Sequence, residues 1–181
     1  ANFIGGHPMT GSEKTGILSA TNTLLENAYY IITPTALTPK EEISEFRDFV
    51  LSLGAIPLIL DYKIHDYSTA AISHLPHMIA YSLVNLVRQI DDDKETMKTI
   101  AAGGFKDITR IASSSPVMWQ NICASNREPL LSLMDQYLAL LTKLRGYIDS
   151  SNEQALLSFF QQAKDYRDSI TLPSVKSPTV Y

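Results

Sequence analysis

Cysteine is nearly absent from this sequence, with Cys123 the single example among 181 residues. One thiol cannot form an internal disulfide, and such sparing use is typical of proteins that work in a reducing compartment. We therefore expect a cytoplasmic location.

The sequence also lacks an excess of positive charge, since its formal net charge is −4. A negative balance gives no bulk attraction to nucleic acid or to an anionic membrane surface. No apolar run approaches the roughly 18 residues that cross a bilayer, and no signal peptide is visible. We expect neither nucleic acid nor a membrane as a partner, and an anionic substrate would have to be held by local groups.

Nucleotide-binding fingerprints are missing as well. No G-x-G-x-x-G follows a strand, and no G-x-x-x-x-G-K-S/T occurs. Residues Ala1–Ile4 form a short apolar segment that predicts a strand entering a turn at Gly5-Gly6. A chain that opens inside a strand predicts a longer parent protein whose fingerprint lies upstream, so cofactor-binding residues are unknown here.

The first third of the chain alternates between strand and helix signals. Hydrophobic residues at 45% and charged residues at 19% suit a globular domain. Strands are predicted at Tyr29–Thr33 and Ala55–Leu60, with a helix between them that Thr38 caps and Gly54 stops. This β-α-β order indicates parallel strands joined by a helical crossover. Residues 1–65 are therefore predicted to be the remnant of a Rossmann-type α/β domain.

Only helical signals follow, so the chain is predicted to be mainly α. A long helix is expected from an N-cap at Asp66 to Ile90, kinked by Pro76. Others are expected to start at Asp91–Asp93, at Pro129 and at the capping box Ser151–Gln154. We predict an all-helical domain over residues 66–170 and a tail or linker over 171–181. The broad apolar faces of these helices favour a homodimer.

Three motifs carry the residues that suit catalysis. His7 lies in Gly5-Gly6-His7-Pro8-Met9-Thr10-Gly11-Ser12-Glu13, at the expected end of a parallel strand, where α/β folds bind ligands. The simpler interpretation is a histidine that caps a turn.

The second motif is His65-Asp66 followed by Ser73-His74-Leu75-Pro76-His77. Ser73 and His77 share a helical face, and polar residues at a kink suggest a cavity wall. Two histidines without a further ligand at metal-binding spacing are too few for zinc, so we expect no metal. The alternative is a polar patch that faces solvent.

The third motif is Gly103-Gly104-Phe105-Lys106-Asp107-Ile108-Thr109-Arg110, followed by Trp119. Arginine binds carboxylates through two parallel hydrogen bonds, which makes Arg110 a candidate for an anionic ligand. The alternative is a surface arginine paired with Asp107.

Together, in identity, order and spacing, these motifs resemble the prephenate/arogenate dehydrogenase family, from Gly5 to about Arg167. The resemblance implies oxidative decarboxylation of prephenate or arogenate with NAD or NADP, and a homodimer formed through the helical domain. It makes His7 the catalytic base. It implies substrate contacts or pocket walls at Arg110, His77, Ser73, Trp119 and Gly103, and gating or orienting roles for Glu13, Asp107 and Asp66.

Three alternatives remain open at this point. An arogenate-specific enzyme would share every motif. A helical-domain dehydrogenase for β-hydroxy acids would use a lysine or histidine on the long helix, and no matching lysine is present there. A non-catalytic dimerisation module could retain the motifs of an ancestor, and the family's upstream serine that supports the catalytic histidine is missing here.

Overall fold

The computed structural model describes residues 3–11 and 16–170. The predicted gating residue Glu13 and the predicted tail at 171–181 lie outside these ranges, so neither is tested. In the described ranges a three-stranded sheet precedes a helical region, which confirms the prediction of a mainly α fold.

The sheet has the order β1-β2-β3, with β1 at Gly5–Pro8, β2 at Tyr29–Thr33 and β3 at Ile56–Ile59. A short 3-10 turn, Ile17–Ser19, lies between β1 and β2. Strands β2 and β3 pair in parallel, which confirms the predicted β-α-β unit. Strand β1 pairs with β2 in the antiparallel sense, so the expectation that His7 ends a parallel strand is wrong.

Gly5 and Gly6 form part of β1, so the predicted turn at this pair is wrong. A Cβ on Gly5 would lie 2.3 Å from Thr33 Oγ1, and one on Gly6 would lie 2.8 Å from the Tyr30 ring. The glycines are therefore needed for close approach between β1 and β2 rather than for a change of direction.

Helix α1, Lys40–Ser52, crosses from β2 to β3 and covers the sheet. Its N-cap is Pro39 rather than Thr38, because the Thr38 hydroxyl accepts from the Thr35 N–H at 2.9 Å instead. The chain then turns at Gly54, whose φ of 77° is left-handed. Buried Ile32, Val50 and Ala55 form the core between the helix and the sheet.

One continuous helical stretch, Tyr62–Ile90, carries the second motif. It comprises α2 at Tyr62–Thr69, a π turn at Ala70–His74 and α3 at Leu75–Ile90. Its N-cap is Asp61, which accepts from the Lys63 N–H at 2.8 Å, so the prediction of Asp66 as the cap is wrong by about one turn. The π turn ends two residues before Pro76, where the kink was predicted, and π turns are frequent at functional sites.

By length and composition alone this stretch could cross a membrane. One such helix is weak evidence for a membrane span, and this one carries three histidines that contact other parts of the chain. Its polar groups therefore belong to a protein site, and the absence of a membrane partner stays a prediction.

Five further helices complete the fold: α4 at Thr96–Ile100, α5 at Gly103–Thr109, α6 at Pro116–Ser125, α7 at Arg127–Asp149 and α8 at Glu153–Ser169. A 3-10 turn, Arg110–Ser113, joins α5 to α6. Helix α7 contacts α2, the π turn and α3 on one side and α8 on the other.

The helix predicted to start at Asp91–Asp93 begins later, at Thr96. The Asp91 and Asp92 carboxylates accept the backbone N–H groups of Thr96, Met97 and Lys98 in the first turn of α4, so these aspartates bind the N-terminus of the helix from the preceding loop. Helix α7 begins at Arg127, two residues before the predicted start at Pro129. The last predicted start is confirmed, since Asn152 caps α8 by accepting from the Ala155 N–H at 3.0 Å.

Candidate active site

A cavity of about 450 Å³ lies where β1 meets the π turn, the Arg110–Ser113 turn and α6. Five residues predicted from the three motifs line it: His7, Ser73, His77, Arg110 and Trp119. These residues are separated by up to 112 positions in sequence, so the cavity is where the motifs meet.

The remaining predicted site residues that the structure describes, Asp66, Gly103 and Asp107, do not line this cavity. The Asp66 carboxylate contacts His65, and His65 in turn contacts His7 in the lining of the cavity. Gly103 and Asp107 lie on α5 outside the lining. A Cβ added to Gly103 would meet nothing within 4 Å, so in a single chain its smallness is not needed for packing.

His7 is held by its place in the sheet and by a second histidine. In β1 it pairs with Ile31, and its Nδ1 lies 2.8 Å from His65 Nε2 on α2. Burial lowers the pKa of His7, and the neighbouring His65 lowers it further. The imidazole is therefore neutral near pH ~7 and able to accept a proton.

His77 lies against Trp119 in a stacked arrangement, with ring centroids 3.7 Å apart and planes at 26°. Its Nδ1 lies 2.8 Å from the Ser73 carbonyl oxygen, which can only accept, so Nδ1 carries the hydrogen and Nε2 is left with a lone pair. Burial lowers the pKa of His77, and the Arg110 charge adds to this effect while the bond to Ser73 opposes it.

His74 also lines the cavity, although it was not among the predicted site residues. Its ring meets Trp119 edge-on at 5.9 Å, and its Nδ1 lies 3.2 Å from Asn126 Nδ2. The same amide nitrogen donates to the Asp66 carbonyl at 2.8 Å, which ties α2 to the junction of α6 and α7. Burial is the main reason that the pKa of His74 is lowered.

Two buried polar atoms in the lining have no hydrogen-bond partner among the described residues: Thr69 Oγ1 and Trp119 Nε1. Thr69 was missed from the sequence, yet the spacing Thr69–Ser73–His77 repeats every four residues and would have indicated it. Asn126 carried no such signal, because it reaches the site through tertiary contacts, whereas His65 stood in the second motif without an assigned role.

Arg110 gives the cavity its permanent positive charge. It begins the 3-10 turn after α5, and the next segment is fixed by Tyr81, whose hydroxyl donates to the Ser114 carbonyl at 2.8 Å. All four histidines of the chain lie at or beside this cavity. Within residues 3–11 and 16–170, no group of three histidine, cysteine, aspartate or glutamate side chains is arranged to hold a metal ion.

A small sheet with a parallel β-α-β unit precedes a helical region, and the cavity between them is lined by an imidazole and an arginine, a combination that suits the binding of an anionic ligand. Comparison with known proteins makes this specific. Residues 61–162 match the family described as "Prephenate dehydrogenase, dimerization domain", and residues 1–57 match "Prephenate dehydrogenase, nucleotide-binding domain". The chain belongs to the prephenate dehydrogenase family.

Individual relatives agree with this assignment. Prephenate dehydrogenase of Bacillus subtilis (strain 168) is 40% identical over 170 residues, which are 94% of this chain and 46% of that protein. The A. aeolicus prephenate dehydrogenase complex with hydroxyphenyl propionate and NAD+ is 31% identical with a TM-score of 0.88, covering 93% of this chain and 59% of that one. Synechocystis arogenate dehydrogenase is 30% identical with a TM-score of 0.82, covering 93% and 61%. The chain spans about half the length of the curated relatives it matches.

Proposed function

We propose that this chain is the substrate-binding and proton-accepting part of an oxidoreductase that converts prephenate to 4-hydroxyphenylpyruvate, with hydride transfer to NAD or NADP. The observation that carries the proposal is the meeting of a neutral imidazole, His7, and a guanidinium, Arg110, in one cavity. In this proposal residues 1–65 complete a nucleotide-binding domain and residues 66–170 form the helical domain.

The reaction needs one proton acceptor and one group that binds a substrate carboxylate. A bound nicotinamide would supply the hydride acceptor for the ring carbon that bears the hydroxyl group. His7 accepts the hydroxyl proton as the carbonyl forms, and a neutral imidazole is the side chain suited to that near pH ~7. The bond between the ring carbon and its carboxylate then breaks and CO2 leaves. The electron pair of that bond makes the ring aromatic and moves the carbonyl electrons onto oxygen, which takes the proton back from His7 to give the phenol.

The cofactor is supported by the nucleotide-binding family match and not by a phosphate site on this chain. The sequence has no glycine-rich fingerprint that would hold a pyrophosphate, so no cofactor contact is assigned to the described residues. The donor set that is present fits the substrate side of the reaction.

Arg110 is proposed to bind a substrate carboxylate, and the paired planes of His77 and Trp119 offer a flat wall for a ring. Ser73 lines the same cavity and its carbonyl fixes His77. Glu13, Asp107, Asp66 and Gly103 remain proposed on the resemblance alone, in gating, orienting or supporting roles.

A homodimer is part of the proposal. Helices α3, α7 and α8 leave large apolar side chains open in a single chain, among them Leu86 at 51%, Ile148 at 61% and Phe160 at 55% exposure. Exposed apolar surface of this kind marks an interface. The match to a dimerisation domain supports a second copy as the partner, and the sparing use of cysteine supports a cytoplasmic site of action.

Arogenate is the second candidate substrate, because one structural relative is named arogenate dehydrogenase. It differs from prephenate by an amino group in place of the keto group of the side chain. Nothing in the cavity lining distinguishes these two groups, so both substrates belong in the test.

The test uses the full-length protein that carries this chain and follows the absorbance of reduced cofactor, with each substrate and each cofactor. His7→Asn is expected to abolish turnover and leave substrate binding intact. Arg110→Ala removes charge-assisted hydrogen bonds of about 1.5–3 kcal/mol and is expected to raise KM roughly 10- to 100-fold. Arg47→Ala, which removes an exposed arginine on α1, is the matched control. A folded dimer without a rate for any pair would contradict the proposal and leave a binding or dimerisation module.

A further inference from the structure

We propose that His65 sets the tautomer of His7, as the middle member of a hydrogen-bonded chain that runs from His7 through His65 to Asp66. Within this series of hydrogen bonds His65 is a positioning residue. It keeps the hydrogen of His7 on Nδ1, so that the lone pair of His7 is on Nε2. The inference deepens the proposed function, because it rests on His7 being the proton acceptor.

Two short contacts define the chain. His65 Nε2 lies 2.8 Å from His7 Nδ1, and His65 Nδ1 lies 2.8 Å from Asp66 Oδ1. The His65 side chain is 17% exposed, and the two imidazole rings meet edge to face with centroids 5.1 Å apart. Both ring nitrogens of His65 are therefore engaged at hydrogen-bond distance.

The Asp66 carboxylate determines which atom donates in both hydrogen bonds, the one between Asp66 and His65 and the one between His65 and His7. An ionised carboxylate only accepts hydrogen bonds, so the His65 nitrogen beside Asp66 must carry a hydrogen. A neutral His65 then has a lone pair on Nε2, and that nitrogen accepts from His7 Nδ1–H. His7 is left with Nε2 as its lone-pair nitrogen, which is the form that a general base needs.

The opposite arrangement is disfavoured by the same atoms. If His65 donated from Nε2 to His7, its Nδ1 would carry a lone pair facing the Asp66 carboxylate across 2.8 Å. Two acceptors at that distance repel each other. His7 would in addition carry its hydrogen on Nε2, where it could no longer accept a proton.

The hydrogen-bonded series His7–His65–Asp66 is held in place at its Asp66 end. Asn126 donates to the Asp66 carbonyl at 2.8 Å, and this bond fixes the turn of α2 that carries both His65 and Asp66. The Asp66 side chain is 48% exposed, so its carboxylate is in contact with solvent. When His7 takes the substrate proton on Nε2, its Nδ1–H still donates to His65, and this bond strengthens as the imidazolium forms.

The first test reads the tautomer without any turnover. In protein labelled with nitrogen-15 at histidine, the ring nitrogen shifts distinguish N–H from a bare lone pair. We expect His7 to carry its hydrogen on Nδ1 and His65 on Nδ1. A His7 with its hydrogen on Nε2 would overturn the proposal, and this result does not depend on which reaction the protein catalyses.

The second test compares two variants at the same position in the full-length protein. His65→Leu removes the acceptor, and kcat is expected to fall about 10- to 100-fold, within the range of general base catalysis, with KM changed less than about threefold. His65→Gln offers an amide oxygen to His7 Nδ1–H and is expected to recover kcat to within about tenfold of the original.

The Asp66→Asn variant tests the contribution of the carboxylate while His65 is kept. An amide can donate to His65 Nδ1 and reverse both bonds of the chain, so His7 should move its hydrogen to Nε2 and kcat should fall about tenfold or more. Asp48→Asn, in the exposed adjacent pair with Arg47, is the matched control and should keep kcat.

The outcomes separate the two proposals. A His65→Leu protein that is folded and keeps the original kcat overturns the role of His65. If the unaltered protein shows no rate with either substrate, the proposed function fails, and the nitrogen-15 shifts still decide whether His65 sets the tautomer.

Discussion

Trp119 is the side chain around which the candidate site packs, and replacing it tests that packing directly. It is 6% exposed, stacks on His77 at 3.7 Å and meets His74 at 5.9 Å. Truncating a buried tryptophan to alanine costs about 3–5 kcal/mol. Because the indole N–H has no hydrogen-bond partner among the described residues, its removal breaks no such bond, and we expect the lower end, about 3 kcal/mol.

Trp119→Phe keeps a ring against His77 and also removes the unpaired N–H. We expect it to cost about 1 kcal/mol, since the lost apolar area is offset by relief of a buried polar group. The size of the first effect matters because a whole domain is stable by only about 5–15 kcal/mol.

The assay is urea unfolding followed by far-ultraviolet circular dichroism, at one fixed protein concentration because the chain is expected to dimerise. Circular dichroism is needed because Trp119 is the single tryptophan of the chain, so its fluorescence is lost in the variant. Val117→Ala, at a position 67% exposed on the same helix, is the control and should change stability by less than about 0.5 kcal/mol. A loss below about 1 kcal/mol in Trp119→Ala would refute the packing argument.

Two more predictions concern the same cavity. Thr69→Val replaces a buried hydroxyl that has no partner among the described residues with an isosteric methyl group, and should raise the free energy of unfolding by about 1 kcal/mol in the same assay; a loss of stability would mean that the hydroxyl is bonded. The pKa values of His7, His74 and His77 are lowered in the fold, so the unfolded chain binds more protons at pH values below ~6.5 and stability should fall as the pH drops through that region. Urea midpoints measured across this range would contradict the prediction if they stayed constant or rose on acidification.

The parts of the fold that could be predicted are those in which local sequence and tertiary packing agree. Tyr29–Thr33 is β-branched and aromatic, ends before Pro34, and forms β2 with those bounds. Asn152 supplies the carboxamide that starts α8. The start of the long helix was predicted too late because Asp61 and Asp66 offer the same side-chain cap, and only the chain path shows which N–H groups are free.

Strand β1 could not have been predicted from its own residues. A glycine pair is usual in turns, and only the distances to Thr33 and Tyr30 explain why glycine is needed within a strand. The residues of the candidate site also fall into two groups, those that the sequence indicates and those that only the structure shows. His7, His65, His77 and Arg110 stand in motifs, whereas Asn126 and Thr69 become part of the site through a contact made across 60 positions or through the π turn beside them.

The electrostatic arrangement of the cavity gives a reason for placing four histidines beside one arginine. Burial lowers the pKa of His7, His74 and His77, so near pH ~7 these groups act as neutral hydrogen-bonding rings and proton acceptors. Arg110 cannot lose its proton in this range and supplies positive charge at every such pH. If the imidazoles were protonated, the cavity would bind carboxylates more tightly but would have lost its base. Keeping charge on arginine and basicity on histidine allows one cavity to hold an anion and to accept a proton at the same pH.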